Sequence, residues 1–186
     1  MKRKSNSLTR GTGDVKPQIL TVSTGTVGAA DDYVTNQVQL PVPRFGGQKN
    51  LSTIFELLWV DWYIAPQDIG DSVVTHWAFL STSSTRADAD TATSVTLAED
   101  IEEPRNFALG IYQRVLTTSG SSVFAMPIRI DLVDGAGNGI LIATDRIIVT
   151  QGSIADATVS SSIAKIGYRL VNVGVQEYVG IVQAQQ

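Results

Sequence analysis

Residues 128–149 read IRIDLVDGAGNGILIATDRIIV, and their pattern decides the fold class. Ile128, Ile130 and Leu132 recur every second residue, with Arg129 and Asp131 between them. A strand places alternate side chains on opposite faces, so this period marks one buried and one wet face. The run Asp134-Gly135-Ala136-Gly137-Asn138-Gly139 then breaks the pattern. Gly and Asn tolerate positive φ, so the run is expected to be a hairpin connection into a second strand over 139–149.

The same alternation appears in residues 163–171, where Ile166, Tyr168 and Leu170 face away from Lys165, Gly167 and Arg169. Segments rich in Val, Ile, Thr and aromatic residues recur through the chain, separated by Gly, Asp, Asn, Ser and Pro. Strands are expected near 18–24, 33–40, 52–64, 72–82, 93–98, 106–117, 122–132, 139–149, 159–172 and 176–183. Residues 51–59 (LSTIFELLW) also carry helical spacing, with Glu56 as an exposed residue in that reading. The Trp, Tyr, Val and Ile content through Ile64 favours a strand. Residues 82–105 are weakly patterned and allow a short helix around 97–103.

Many short strands with turn signals between them indicate a sandwich or barrel, and the fold expected is an all-β, eight-stranded single jelly roll. An immunoglobulin-like sandwich needs only about 100 residues, and the chain has 186 with no cysteine. The expected organisation is a disordered basic arm over 1–16 and one jelly-roll domain over 17–186. No apolar run approaches the roughly 18 residues that span a bilayer. The basic start is followed by no apolar stretch, which argues against a secretory signal.

The two ends differ in charge. Residues 1–16 carry Lys2, Arg3, Lys4, Arg10 and Lys16 against Asp14, a net +4, whereas residues 17–186 hold nine Lys/Arg against 17 Asp/Glu, a net −8. Cationic side chains attract phosphates over long range and release counterions without a fixed fold. The five basic residues are therefore candidate contacts to single-stranded nucleic acid, without sequence preference because they meet phosphate; no aromatic residue is interleaved, so base stacking is not indicated. Charged residues make up only 17% of the chain, below the usual quarter. That shortfall points to surface hidden against other copies.

Catalytic chemistry finds little material. His76 is the single histidine, and Asp71, Ser72 and Ser81 near it complete no G-x-S-x-G elbow. One histidine and no cysteine cannot assemble the N/S ligand sets of zinc or copper. Calcium at a subunit interface is the one metal whose ligands are present, in Asp31-Asp32 and in Glu99, Asp100, Glu102 and Glu103; both clusters read more simply as solvated loops. Residues 131–139 lack the D-x-D-x-D-G spacing. The glycines match neither nucleotide-binding fingerprint. No enzyme activity and no cofactor are expected.

Residues 128–149, followed by AKIGYRLVNVGVQEYVGIVQAQQ (164–186), resemble capsid proteins of small circular Rep-encoding single-stranded DNA viruses and their unclassified environmental relatives. FELLWVDWYI (55–64) ahead of DSVVTHWAFLST (71–82) is similar to that group too. The resemblance implies a single jelly-roll coat protein that self-assembles into an icosahedral shell around a single-stranded genome. The arm is shorter and less basic than in many such coats. About 60 copies would bring on the order of 240 positive charges, a minor fraction of the phosphate charge of a genome of a few thousand nucleotides. Pro43, Arg44 and Phe45, in an extended Pro-rich segment, and Trp59, Trp62 and Trp77 are candidate interface residues, the tryptophans dividing between core and contact. The expected location is the virion, and the host cell during assembly. A jelly-roll module that binds carbohydrate or a receptor within a larger assembly is the competing reading.

Overall fold

The computed structural model describes residues 16–27, 33–41, 51–65, 73–82, 101–102, 105–115, 127–154 and 160–185. They form nine strands and one longer helix: β1 Gln18–Val27, β2 Tyr33–Gln39, β3 Leu51–Ala65, β4 Val73–Ser81, β5 Asn106–Val115, β6 Ile128–Asp131, β7 Ile140–Ile142, β8 Arg146–Ile154, β9 Ser160–Gly174 and α1 Val175–Ala184. One sheet has the order β1-β9-β3-β6, with β7 also on β3; the other runs β2-β8-β4-β5. Every pairing is antiparallel.

β6 and β7 pair with successive stretches of β3, Ile128–Asp131 against Trp62–Trp59 and Ile140–Ile142 against Leu57–Phe55. They run in the same direction and are two halves of one interrupted strand. Counted so, there are eight strands, and the first pairs with the last, the second with the seventh, the third with the sixth and the fourth with the fifth. An eight-strand antiparallel hairpin rolled up on itself gives these pairings, and the fold is a jelly roll.

Three local expectations are corrected. The Gly-rich run at 134–139 does not reverse the chain; it leaves the sheet after Asp131 and returns to the same strand line at Ile140. The Asp134 carboxylate accepts hydrogen bonds from the backbone N–H groups of Ala136 and Asn138, at 2.9 and 2.8 Å, and from the Asn138 amide, so the loop closes on itself. Residues 139–149 are not one strand. Chain direction breaks at Ala143-Thr144-Asp145, and β7 and β8 lie in different sheets. Residues 176–183 are helical rather than extended. Tyr178, Ile181, Val182 and Gln185, spaced i, i+3, i+4 and i+7, are its half-buried positions, and this period outweighs the β-branched composition. Of the short helix expected around 97–103, residues 101 and 102 are helical; the strand expected at 93–98 lies outside the described residues.

β3 explains its own ambiguity. Its register against β9 shifts between Leu57 and Trp59, so Leu58 is a bulge. Phe55 and Leu57 face the core before it, and Val60, Trp62 and Ile64 after it. The change of parity destroys a clean period of two over the stretch where helix and strand compete as readings.

Trp62 ties the sheets together. It is fully buried, and its indole N–H donates to the Ala108 carbonyl of β5 at 2.7 Å. Ala108 holds φ of +56°, at a bulge where β5 carries an extra residue opposite β4. On the β1 and β8 side of the core the tie is polar. Thr24 Oγ1 accepts from Ser162 N at 3.0 Å and donates to Gln151 Oε1 at 2.9 Å, and Gln151 Nε2 donates to Ser160 Oγ at 3.1 Å.

Trp62→Phe orphans the buried Ala108 carbonyl and is expected to lower stability by about 2 kcal/mol or more, read by urea unfolding. Ala108→Gly relieves a left-handed alanine that costs about 1 kcal/mol, and the same assay is expected to show no loss of stability.

Candidate functional site

Strand parity gives the first sheet a core side and an outer side. On β9 the core receives Ala164, Ile166 and Tyr168, leaving Ile163, Lys165, Gly167, Arg169, Val171 and Val173 outward. On β3, Ile54, Glu56 and Leu58 point outward before the bulge shifts the set to Trp59, Asp61 and Tyr63. This outer side is divided into a covered half and an open half.

The covered half lies beneath α1, which packs against β3, β7 and β9. Ile54 and Val173 are buried there. Glu56 is buried with them, an acidic group inside an otherwise apolar run. Its cross-strand partner is Arg169. Arg169 Nε donates to Glu56 Oε2 at 2.7 Å and Nη2 to Oε1 at 3.0 Å, a two-point pair that suits the planar guanidinium. The hydrogen bond to Glu56, helped by its charge, raises the Arg169 pKa above its usual value in spite of burial. Gly139 N also donates to Glu56 Oε1 at 2.7 Å, and Arg169 Nη2 donates to Gly137 O at 3.1 Å. The pair thus pins the 132–139 loop over the sheet. A Cβ on Gly139 would lie 1.8 Å from the Leu57 carbonyl, so only glycine permits this approach.

The open half is built in rows by the strand register. One row runs Ile19, Gly167, Trp59, Asp131; the next Thr21, Lys165, Asp61, Arg129; the third Ser23, Ile163, Tyr63. Trp59 lies flat over Gly167, where a Cβ would meet the indole at 2.1 Å. Arg129 stacks on the Trp59 ring with Cζ 4.5 Å from its centroid, and Lys165 Nζ lies 4.8 Å from that of Tyr63. Arg129 also bridges Asp61 at 3.3 Å and Asp131 at 3.1 Å.

The residues that the sequence marks as candidates fall in different places, and some lie outside the described segments. Trp59 is the tryptophan on this open face. Trp62 and Trp77 are fully buried within the chain, which leaves them no surface for a neighbour. Trp77 packs with Phe79 in a second cluster with Tyr33 and Leu109, and its indole rests on Gly152. Pro43, Arg44 and Phe45, and Lys2, Arg3, Lys4 and Arg10, lie outside the described residues, as do Asp31, Asp32, Glu99, Asp100 and Glu103. Lys16 is exposed just before β1. His76 is buried on the core side of β4, opposite Ser153 and Tyr112 in the ladder, and Ser81 lies on the other face of that strand. Among the described residues no cluster of three acidic or histidine side chains could hold a metal. The Asp134 carboxylate is turned inward on the N–H groups of its own loop.

Sequence alone does not single out Glu56, Arg169, Arg129, Lys165 and Tyr63 as parts of one surface. Glu56 and Arg169 carry one signal, a charge on each of two strongly apolar segments. Their pairing depends on a register that only the folded chain reveals.

Arg169→Met leaves a buried carboxylate without its partner and is expected to cost about 3–5 kcal/mol. The double change Glu56→Leu with Arg169→Met is expected to recover most of that loss. Denaturant unfolding of the four chains in a double-mutant cycle measures both.

No family model matches this chain, and no curated protein is significantly similar to it in sequence. Solved structures are similar in fold. VP1 of Trichodysplasia spinulosa-associated polyomavirus, in complex with GM1 oligosaccharide, is 11% identical with a TM-score of 0.52, covering 87% of this chain and 95% of that one. Merkel cell polyomavirus VP1, in complex with GD1a oligosaccharide, is 10% identical with a TM-score of 0.51, covering 89% and 99%. The human polyomavirus 7 VP1 pentamer is 9% identical with a TM-score of 0.50, covering 87% and 97%. At such identities the likeness is one of fold, and the fold is the jelly roll of these viral capsid proteins.

Proposed function

We propose that this chain is a viral coat protein that assembles with its own copies into a closed shell. The observation that carries the reading is the strand order: the described strands complete one eight-strand jelly roll, and the likeness to VP1 capsid proteins extends over nearly the whole of both chains. The low charge content and the open outer face of the first sheet agree with a surface meant for neighbours.

The finer reading is a small icosahedral shell of about 60 copies, enclosing single-stranded nucleic acid within a virion, as the sequence resemblance to circular single-stranded DNA viruses implies. Shell symmetry around five-fold and three-fold axes requires heterologous contacts. The segment 1–16, net +4, supplies a nonspecific phosphate contact whose strength falls with salt.

Expressed alone, the chain is expected to sediment as closed particles visible by electron microscopy. Deleting residues 1–16 is expected to lower the nucleic-acid absorbance of purified particles while leaving their assembly intact. A protein that stays monomeric across salt and concentration would overturn the reading. A second reading, a carbohydrate-binding module, takes support from the oligosaccharide complexes of two of the similar proteins. It predicts saturable binding on a glycan array by a chain that forms no shells.

A further inference from the structure

Nine large hydrophobic residues are exposed among the described residues, and they are not scattered. Ile19, Tyr63 and Ile163 stand on the open rows of the first sheet; Val175 and Val179 lie one helical turn apart on α1, above the same sheet; Val133 is on the loop that Glu56 and Arg169 pin over it. Ile111 and Ile154 belong to the second sheet and Ile101 to neither. Six of the nine thus gather on the outer side of one sheet. The row Thr21, Lys165, Asp61 and Arg129 runs between Ile19 and the pair of Ile163 and Tyr63, so the surface is mixed, and large apolar side chains gathered on one side mark an interaction site.

We infer that this outer side is where a second copy of the chain docks. The inference rests on the coat-protein reading and names the surface that reading lacks. Charge identifies the occupant. Copies of a chain with net charge −4 repel one another. On the open rows, however, Arg129 and Lys165 are balanced by Asp61 and Asp131, so this face is neutral on an acidic body. Like-charged copies approach with least repulsion there. A polyphosphate partner finds no net positive charge, and the Trp59 ring is already covered by Arg129. Three open rows about 7 Å apart, on four strands about 4.8 Å apart, present on the order of 400 Å². A stable interface uses about 800 Å² on each partner, so the contact also takes in α1 and the 132–139 loop beside the rows. Tyr63, exposed and held in place by Lys165, is a pre-ordered aromatic anchor.

The test uses the full chain. Ile163→Lys replaces an exposed apolar side chain of the third open row with a charge and is expected to raise the concentration needed for assembly at least tenfold. Ile154→Lys, on the other sheet, is the control and is expected to assemble like the parent. A second readout uses the absence of cysteine in the sequence. Thr21→Cys introduces one exposed thiol on the same rows, and it is expected to react with maleimide in dissociated subunits and to be protected in particles, whether or not Ile163→Lys folds. If Ile163→Lys forms shells at the parental concentration, or Cys at position 21 stays reactive within them, the surface is free in the shell; the docking inference falls and the coat reading stands. Protection in filled particles with reactivity in empty ones would assign the face to nucleic acid and also overturn the inference. If the parent chain forms no particles at all, the coat reading itself fails.

Discussion

The contact between Trp62 and β5 is the constraint from which the sandwich is organised. The chain crosses between the two sheets only at their ends, as at Ala143-Thr144-Asp145, so their spacing and register through the core depend on side chains. Trp62, one of the largest fully buried side chains, spans that interface, resting on Gly110 and hydrogen-bonded to the carbonyl of Ala108 two residues away. A buried carbonyl needs a partner, and an indole N–H reaches it only if β5 turns that carbonyl toward the core. The left-handed alanine does so. The other two tryptophans obey the same packing logic within single sheets, Trp59 over Gly167 and Trp77 over Gly152. Each indole takes the volume that a glycine on the neighbouring strand leaves empty, so these mid-strand glycines are seats rather than breaks.

With the sheets fixed, the Leu58 bulge determines what the outer side of the first sheet displays. Before it, β3 sends Ile54 and Glu56 outward, and these need cover. After it, β3 sends Trp59, Asp61 and Tyr63 outward, which tolerate water at their polar edges. The covered half receives α1 and the pinned loop; the open half receives neither. A buried carboxylate is a costly group, and its cost is offset only by a well-aligned partner. Arg169 is that partner, and its fit obliges the 132–139 loop to lie flat. One charge pair therefore shapes the boundary between the closed and open surfaces.

Legibility in the sequence follows the period of two. The segments at 18–24, 33–40, 106–117 and 159–172 alternate cleanly or are bounded by strong turn residues, and they are readable as strands; so is the jelly roll as a class. Three features are not. The loop at 134–139 has the composition of a hairpin, and only the common pairing of its flanks with β3 shows that the chain keeps its direction. Residues 139–149 are uniformly strand-like, and the corner at Ala143-Thr144-Asp145 is a matter of which sheet each half joins. In residues 175–185 composition and period conflict: Val and Ile favour a strand, while the spacing of Tyr178, Ile181, Val182 and Gln185 favours a helix lying on a sheet. Of the candidate contacts, Trp59 stands out by its type, but nothing local distinguishes it from Trp62 and Trp77, because face depends on a bulge.

The helix also bears on which edges of the first sheet stay open. β6 and β7 form an open edge of the first sheet, and an open edge invites strand addition by another chain. Here that edge is only four and three residues long on either side of the loop. Its shorter piece is occupied. Gln185, at the end of α1, donates Nε2 to the Leu141 carbonyl at 2.6 Å and accepts from Ala143 N at 3.0 Å. A side-chain amide thus makes the two hydrogen bonds that a residue of a neighbouring strand would make. The interrupted strand and the amide together blunt the edge, whereas the rows beside it stay open. Growth through the edge would be open-ended, since each added strand creates a new edge. Docking through a face of fixed extent consumes the face. The proposed shell needs contacts that saturate, and the distribution of covered edge and open face in this fold favours contacts of that kind.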